Sequence, residues 1–259
     1  MKRLALILVL LCAVCVLGVV PVARADDPTS FVTTEIVIPA PDAEGPTYLK
    51  ITVQMDAPPR ARFRMEFPNL IDGDGVNGFN TAINGLITES FSAFSQSLAE
   101  NDTNIPLTDV SSGSFFQLTT ENLYWAADLL SVKLTFGYYY AGAAHPSSFS
   151  RTLTYSQTLD KALALSDLFI AKSDYLQQIA AFCQNDLKAQ DFLVFPDGAE
   201  PKAENYRSWN LTGEGLQINF DDYQVAPHAV GPLTVVIPYF DLAQMGIVDP
   251  EGPIGTFVQ

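Results

Sequence analysis

The chain has 259 residues and carries 29 acidic against 14 basic side chains, a formal net charge of −15. A polyanion of this kind is repelled by nucleic acid and by anionic membrane surfaces and attracts cationic partners, so nucleic acid is excluded as a partner class. Of the three cysteines, Cys12 and Cys15 fall in the first apolar run. Once that run is removed Cys183 stands alone, and the chain must rely on an apolar core instead of a disulfide.

The N-terminus reads as an export signal. Met1-Lys2-Arg3 is a short positive end, Leu4 to Val20 is almost entirely apolar, and Ala23-Arg24-Ala25 supplies a small-x-small cleavage pattern before Asp26. Residues 1–25 are expected to be a signal peptide, cut after Ala25, that sends the chain outside the cell or into the periplasm. The alternative is a retained anchor, because the run is only slightly short of a membrane span; only then would the chain meet a membrane. Cleavage removes Lys2, Arg3 and Arg24, leaving 11 basic against 29 acidic residues and a net charge of −18.

Val32 to Ile38 and Tyr48 to Met55 alternate apolar and polar residues in part, and Arg62 to Phe67 alternates strictly up to Pro68, which predicts three strands. Phe79, Ile83, Leu86, Ile87, Phe91, Phe94 and Leu98 recur at helical spacing, so residues 76–99 form one long amphipathic helix. A connecting loop follows, then strands over Phe115 to Leu118 and Leu129 to Tyr140. The run Tyr138-Tyr139-Tyr140 places two rings on one side of its strand. Ser148 to Tyr155 alternates with Phe149, Arg151, Leu153 and Tyr155 on one face.

Ser166-Asp167-Leu168-Phe169 reads as a turn before a helix over 172–189, with Ser173 as its N-cap. Trp209 to Leu211 and Leu216 to Phe220 form a hairpin around Gly213-Glu214-Gly215. Leu233 to Ile237 is the last strand, Phe240 to Met245 a short helix, and residues 246–259 a loose tail. The expected fold class is α+β, with mixed and antiparallel sheets and two main helices packed on them. The expected division is an N-terminal α+β region over 26–110, a C-terminal domain over 111–245 and a flexible tail over 246–259.

Motifs with chemistry are few. His145 and His228 lack metal-ligand spacing, and the mature chain has neither His-Glu-x-x-His nor Cys-x-x-Cys, so no metal and no cofactor is expected. Asp72-Gly73-Asp74-Gly75 resembles half a calcium loop, but the fifth and twelfth positions hold Val76 and Ile83, so a Gly/Asp turn capping the long helix is expected. Asp221-Asp222 reads as a solvated loop, because Tyr223-Gln224 breaks any deacetylase-type acid pair and no His-x-x-x-His accompanies it. No Gly-x-Ser-x-Gly elbow occurs. Cys183, in Ile179-Ala180-Ala181-Phe182-Cys183, reads as a small buried hydrophobe rather than a catalytic thiol. Asn101-Asp102-Thr103 and Asn210-Leu211-Thr212 fit the glycosylation pattern.

A specific order of motifs runs through the second half. Tyr139-Tyr140-Ala141-Gly142-Ala143-Ala144-His145-Pro146 precedes an alternating strand and Leu165-Ser166-Asp167-Leu168-Phe169. Asn205-Tyr206, Trp209-Asn210-Leu211-Thr212 and Gly215-Leu216-Gln217-Ile218-Asn219-Phe220 follow, then Tyr223-Gln224-Val225-Ala226-Pro227-His228-Ala229-Val230-Gly231-Pro232 and Val235-Val236-Ile237-Pro238-Tyr239. This order resembles the C-terminal domain of the RsiV family, a domain of unknown function marked by a Tyr-x-Gly-Gly-Ala-His-like turn, an Asp-Leu-Phe, a late hairpin and a Pro-x-x-x-Gly. The family's second turn glycine is Ala143 here, and Pro146 follows His145. The segment from Val32 to Glu100, with Phe67-Pro68 and helical Asn80 and Asn84, resembles the PdaC-type domain that precedes it.

The resemblance implies three kinds of relative. These are anti-sigma factors whose extracytoplasmic part binds lysozyme, peptidoglycan deacetylases with a separate catalytic domain, and secreted immunogenic proteins without assigned chemistry. The last is the most similar in layout. The candidate binding residues are Tyr140, Gly142 and His145 in the first turn and Pro227, His228 and Gly231 in the later loop; no catalytic residue is expected. A ring after a small-residue turn can reach a partner, although His145 can equally bond the neighbouring strand and fix the turn, and Gly142 permits a positive φ. The expected function is a secreted or envelope-associated, non-catalytic binding protein, its partner a cationic protein such as lysozyme or a cell-wall component. The alternatives are a glycan- or peptidoglycan-acting hydrolase using Asp221 and Asp222 as paired carboxylates, and a structural surface antigen.

Overall fold

The computed structural model describes residues 31–37, 47–57, 61–71, 74–100 and 113–258. The expected leader, the expected boundary near residue 110, Asp72-Gly73 and Asn101 lie outside these residues. Ten strands are described: β1 Phe31–Val37, β2 Tyr48–Ala57, β3 Ala61–Leu70, β4 Ser114–Ala126, β5 Leu129–Tyr139, β6 Ser147–Ser156, β7 Lys161–Ala162, β8 Trp209–Leu211, β9 Gly215–Phe220 and β10 Leu233–Pro238. Three helices accompany them: α1 Val76–Glu100, α2 Tyr175–Ala189 and α3 Tyr239–Met245. The class is α+β, with a seven-stranded mixed sheet in the order β1 to β7 and a three-stranded antiparallel sheet in the order β10-β9-β8.

Hairpin-joined neighbours run antiparallel, but β3 and β4 pair in parallel. A parallel pair needs a crossover, and α1 lies within the connection. Two compact units divide the described chain: residues up to Thr120 with Phe136–Ser147, and Glu121–Thr135 with the chain from Ser148 on.

In the first unit, strict alternation sends Phe63, Met65 and Phe67 inward, each at most 2% exposed, while Arg62 and Arg64 point to solvent. The apolar stripe of α1 meets the inward set. Phe91 packs edge-on against Phe63 at 5.3 Å and against Phe116 at 5.7 Å. Each buried ring is worth about 2–3 kcal/mol by area, and each edge-on pair about 0.5–1.5 kcal/mol more.

In the second unit, Leu211, Leu216, Ile218, Phe220, Val235 and Ile237 form a core with Ile179, Ala180, Cys183 and Leu187 of α2. β8 is only three residues long, and its outward backbone is satisfied by side chains. Trp209 N donates to Thr152 Oγ1 at 3.0 Å, and Leu211 N to Ser131 Oγ at 2.8 Å. Ser131 in turn pairs with Thr154 at 2.7 Å. Asn210 is fully buried, so its glycosylation pattern is not accessible.

Several expectations need correction. The helix expected from residue 172 starts at Tyr175, because Lys172 takes a φ of 65°; its N-cap is Asp174, and Ser173 makes no cap. β4 extends to Ala126, well past Leu118, where Thr119-Thr120-Glu121-Asn122 shows no apolar alternation. The C-terminal segment packs instead of trailing: Ile247, Val248 and Ile254 are 2%, 8% and 0% exposed.

Thr152→Val keeps the side-chain shape but strips the Trp209 amide of its acceptor. We expect a loss of about 1–3 kcal/mol, the cost of one unsatisfied buried donor. Urea denaturation at unchanged m-value measures it.

Candidate functional site

The six candidate binding residues fall into two groups, each brought together locally. In the first unit, Tyr140 follows the end of β5 and opens a turn closed by Ala143 N donating to Tyr140 O at 2.9 Å. Gly142 supplies a φ of 91°, which only glycine adopts without strain. Tyr139 Oη donates to Ala143 O at 3.1 Å, and Ala141 N donates to Ser114 Oγ at 2.9 Å. Tyr140 stacks on Phe94 at 5.0 Å, so its ring is half given to the core. Its hydroxyl is held above its ordinary pKa, chiefly by burial. His145 is exposed, with Nδ1 at 2.8 Å from Pro146 O; that contact lies within the turn itself.

In the second unit, Pro227, His228 and Gly231 form two consecutive turns: Val230 N donates to Pro227 O and Gly231 N to His228 O, both at 2.9 Å. Gly231 takes a φ of 81°. His228 Nδ1 lies 3.1 Å from Asp222 Oδ2, which favours the tautomer with the proton on Nδ1. The ring also stacks on Tyr223 at 5.6 Å with planes 17° apart.

Asp221 and Asp222 are the residues that sequence reasoning misplaced. Expected in a solvated loop, their side chains are only 16% and 6% exposed. Asp221 Oδ1 accepts from Ser150 N at 2.7 Å and from Ser150 Oγ at 3.0 Å, while Oδ2 lies 3.9 Å from Arg151 and 4.0 Å from Arg207. Asp222 Oδ2 accepts from Ser148 N at 3.3 Å and from Ser148 Oγ at 3.4 Å, besides facing His228. Asp222 Oδ1 is buried and accepts no hydrogen bond from the described residues. The two carboxylates thus have separate partners, and together they clamp one turn to β6.

Gln224 completes the clamp. Its Nε2 donates to Gly198 O and Asn205 O, both at 2.9 Å, and its Oε1 accepts from Asp221 N at 3.1 Å. A Cβ on Gly198 would lie 1.8 Å from Gln224 O, so glycine is required there by the close approach. Val194 N and Phe195 N both donate to Val225 O, at 2.9 and 2.8 Å. Between these anchors Tyr223 is forced to a φ of 63° and left 53% exposed, near exposed Val194 and Phe195, with Val230 exposed at the far end of the loop. The signal available in the sequence was the Asp-Asp-Tyr-Gln run itself, a turn between two strands.

Among the described residues no group of three His, Cys, Asp or Glu side chains is placed to hold a metal ion. Cys183 is fully buried, and burial pushes its thiol well above the ordinary range.

Residues 166–240 match a family model described as a protein of unknown function, DUF3298. Peptidoglycan-N-acetylmuramic acid deacetylase PdaC of Bacillus subtilis strain 168 is 29% identical over 105 residues, which are 39% of this chain and 22% of that protein. Immunogenic protein MPT64 of Mycobacterium tuberculosis H37Rv is 27% identical over 105 residues, 39% of this chain and 45% of that protein. The match therefore spans less than half the length of either relative. Among solved structures, a DUF3298 family protein from Pseudomonas aeruginosa PAO1 matches with a TM-score of 0.54 at 16% identity, covering 87% of this chain and 96% of that one. A member of the same family from Bacteroides fragilis NCTC 9343 matches with a TM-score of 0.54 at 16% identity, covering 89% and 96%. At such identity the likeness is one of fold.

Two measurements check this geometry. Gln224→Ala removes two donated bonds and one accepted bond, and should cost about 1–3 kcal/mol with faster amide exchange confined to the 223–231 loop. Native Cys183 should resist a thiol reagent at pH 8, since the thiolate is the reactive form, and should react at once in denaturant. Rapid native labelling would contradict its burial.

Proposed function

We propose that the chain is an exported, envelope-associated binding protein without catalysis, and that its Tyr223–Gly231 loop is the contact surface for a cationic protein of the lysozyme type. The observation that carries this reading is the presentation of Tyr223. A non-glycine residue persists at positive φ only where its surroundings over-determine it, and here two buried carboxylates, Gln224 and the buried Val225 and Ala226 do so. The result is a rigid, exposed aromatic stacked on an imidazole beside exposed Val194 and Phe195. Rigid aromatic anchors of this kind carry most of the energy in protein interfaces.

Charge supports the choice of partner. A mature net charge of −18 steers a cationic protein inward and raises its association rate. The leader-like residues 1–25, the RsiV-type order of motifs and the similarity to an immunogenic protein support the same reading. The similarity to a peptidoglycan deacetylase keeps a cell-wall component as the second partner class and a glycan-acting hydrolase as the rival activity.

The test is a titration of purified residues 26–259 with lysozyme at low and moderate salt. Saturable binding that weakens only partly with salt is expected, and Tyr223→Ala should weaken it at least tenfold, about 1.4 kcal/mol. Binding that vanishes with modest salt is charge attraction alone and overturns the specific contact. No binding at either salt removes the lysozyme-type partner. Release of soluble product from peptidoglycan would establish the hydrolase instead.

A further inference from the structure

The second unit leaves one strand of its small sheet open on its outer side. In the order β10-β9-β8, β10 stands at an end, and no strand among the described residues pairs with its far side. The register decides which of its backbone groups face outward. Tyr239 N donates to Glu214 O at 3.2 Å, and hydrogen-bonded pairs recur at every second residue of an antiparallel ladder. Ile237, Val235 and Leu233 therefore bond to Leu216, Ile218 and Phe220 of β9. The far side of β9 gives the same answer. Thr212 N donates to Gly215 O and Asn219 N to Ser208 O, so the odd-numbered residues of β9 serve β8 and the even-numbered ones serve β10. The N–H and C=O groups of Thr234 and Val236 are left pointing away from the sheet.

Pro232 and Pro238 bracket these groups, on opposite sides of Val235 and equally far from it. Neither has an N–H, so a strand added here finds donors only at the residues between them. Val235 and Ile237 are 2% and 0% exposed, Leu233 and Val236 are partly buried, and Thr234 is exposed. Phe240, in the first turn of α3, is 73% exposed. Val230, as far before Val235 as Phe240 is after it, is exposed as well. From Leu233 to Phe240 the chain has no charged side chain.

We propose that this edge pairs with β10 of a second copy of the chain, antiparallel about a two-fold axis at Val235. Such an axis makes the same patch serve both copies. Thr234 of each copy faces the partner's Val236, and each of these pairs exchanges both of its N–H···O bonds. Val235 meets its own copy, and Leu233 meets the partner's Ile237. All are strand-favouring neighbours. The same axis carries Phe240 toward the partner's Val230, so the exposed apolar groups at the two ends cover one another. Charge selects the occupant. At a net charge of −15 two copies repel over most of their surface, and this strip lets them touch without setting charged side chains face to face. A cationic partner finds no carboxylate on it. The prolines keep the contact short, so it forms and parts with concentration. It shares only Val230 with the Tyr223–Gly231 loop and does not rest on that loop's partner.

The experiment is sedimentation equilibrium of purified residues 26–259 from about 1 μM to about 1 mM, at about 0.01 M and about 0.1 M salt. A monomer–dimer equilibrium is expected, and it should tighten with salt, because screening weakens the repulsion between like-charged copies. The lysozyme contact moves the opposite way. Amide exchange followed by NMR reads the edge itself: Thr234 and Val236 should exchange fast when dilute and slow down as the dimer forms, with Val235 and Ile237 protected throughout. Val236→Pro deletes an outward N–H and should abolish the dimer. Phe240→Ser changes an exposed position, so it should keep its melting temperature, weaken the dimer at least fivefold and leave lysozyme binding no weaker. That variant and the exchange pattern decide the matter if Val236→Pro does not fold. A chain still monomeric at about 1 mM, a dimer loosened by salt, no slowing at Thr234 and Val236, or full dimerisation by a folded Val236→Pro protein would each overturn the proposal.

Discussion

The hydroxyl face of β6 is the constraint on which the second unit depends. Ser148, Ser150, Thr152, Thr154 and Ser156 occupy every second position of that strand, so all five side chains lie on one face. Each has a fixed partner: Asp222 for Ser148, Asp221 for Ser150, the Trp209 amide for Thr152, Ser131 for Thr154 and Asp128 for Ser156. A buried polar face is costly unless every member is satisfied. Hydroxyls meet that condition well because each can donate and accept. Thr152 accepts from a backbone amide while Ser150 donates to a carboxylate, within one strand. A slip of one residue would bring Phe149, Arg151 and Leu153 to these partners and leave several amides and carboxylates unpaired, so the register is strongly specified.

The same face connects core and surface. Among the described residues β8 has no backbone ladder on its outward side at Trp209 and Leu211, and the hydroxyls stand in for one. One turn further along, Ser148 and Ser150 hold the two adjacent carboxylates. Two like charges side by side repel, and the ion pairs to Arg151 and Arg207 are long at 3.9 and 4.0 Å. Exposed pairs of that geometry contribute little. The short, charge-assisted bonds from Ser150 are the stronger term. What the acids achieve is positional: they fix the turn that presents Tyr223 and His228.

The sequence made one half of this arrangement visible. Helical spacing in α1, strict alternation in β3 and the β8–β9 hairpin were legible because one side of each is apolar and the other polar, and period alone then assigns the face. In β6 the same reasoning identified Phe149, Arg151, Leu153 and Tyr155 as a face, but the complementary hydroxyl face looks like ordinary solvent-facing polarity. Its burial depends on partners at residues 131, 209, 221 and 222, none of them close in the chain. The solvated-loop reading of Asp221-Asp222 failed for the same reason. The second half of β4 was illegible because pairing, not burial, sustains it, and the helix start at Tyr175 was displaced by the left-handed Lys172. His145 and His228 stood out by residue type, and the structure sets His228 against a carboxylate.

Gly198 shows the limit in its plainest form. Nothing near it in sequence marks it as special; it opens no hairpin and has no left-handed φ. Its reason is Gln224, 26 residues away, whose carbonyl would sit 1.8 Å from any Cβ at that position and whose side-chain amide donates to Gly198 O. The close approach and the hydrogen bond join the same two residues through different atoms. Together they hold the 221–224 turn against the 196–199 segment. Tyr223, within that turn, carries its left-handed φ of 63° next to a contact that only glycine allows.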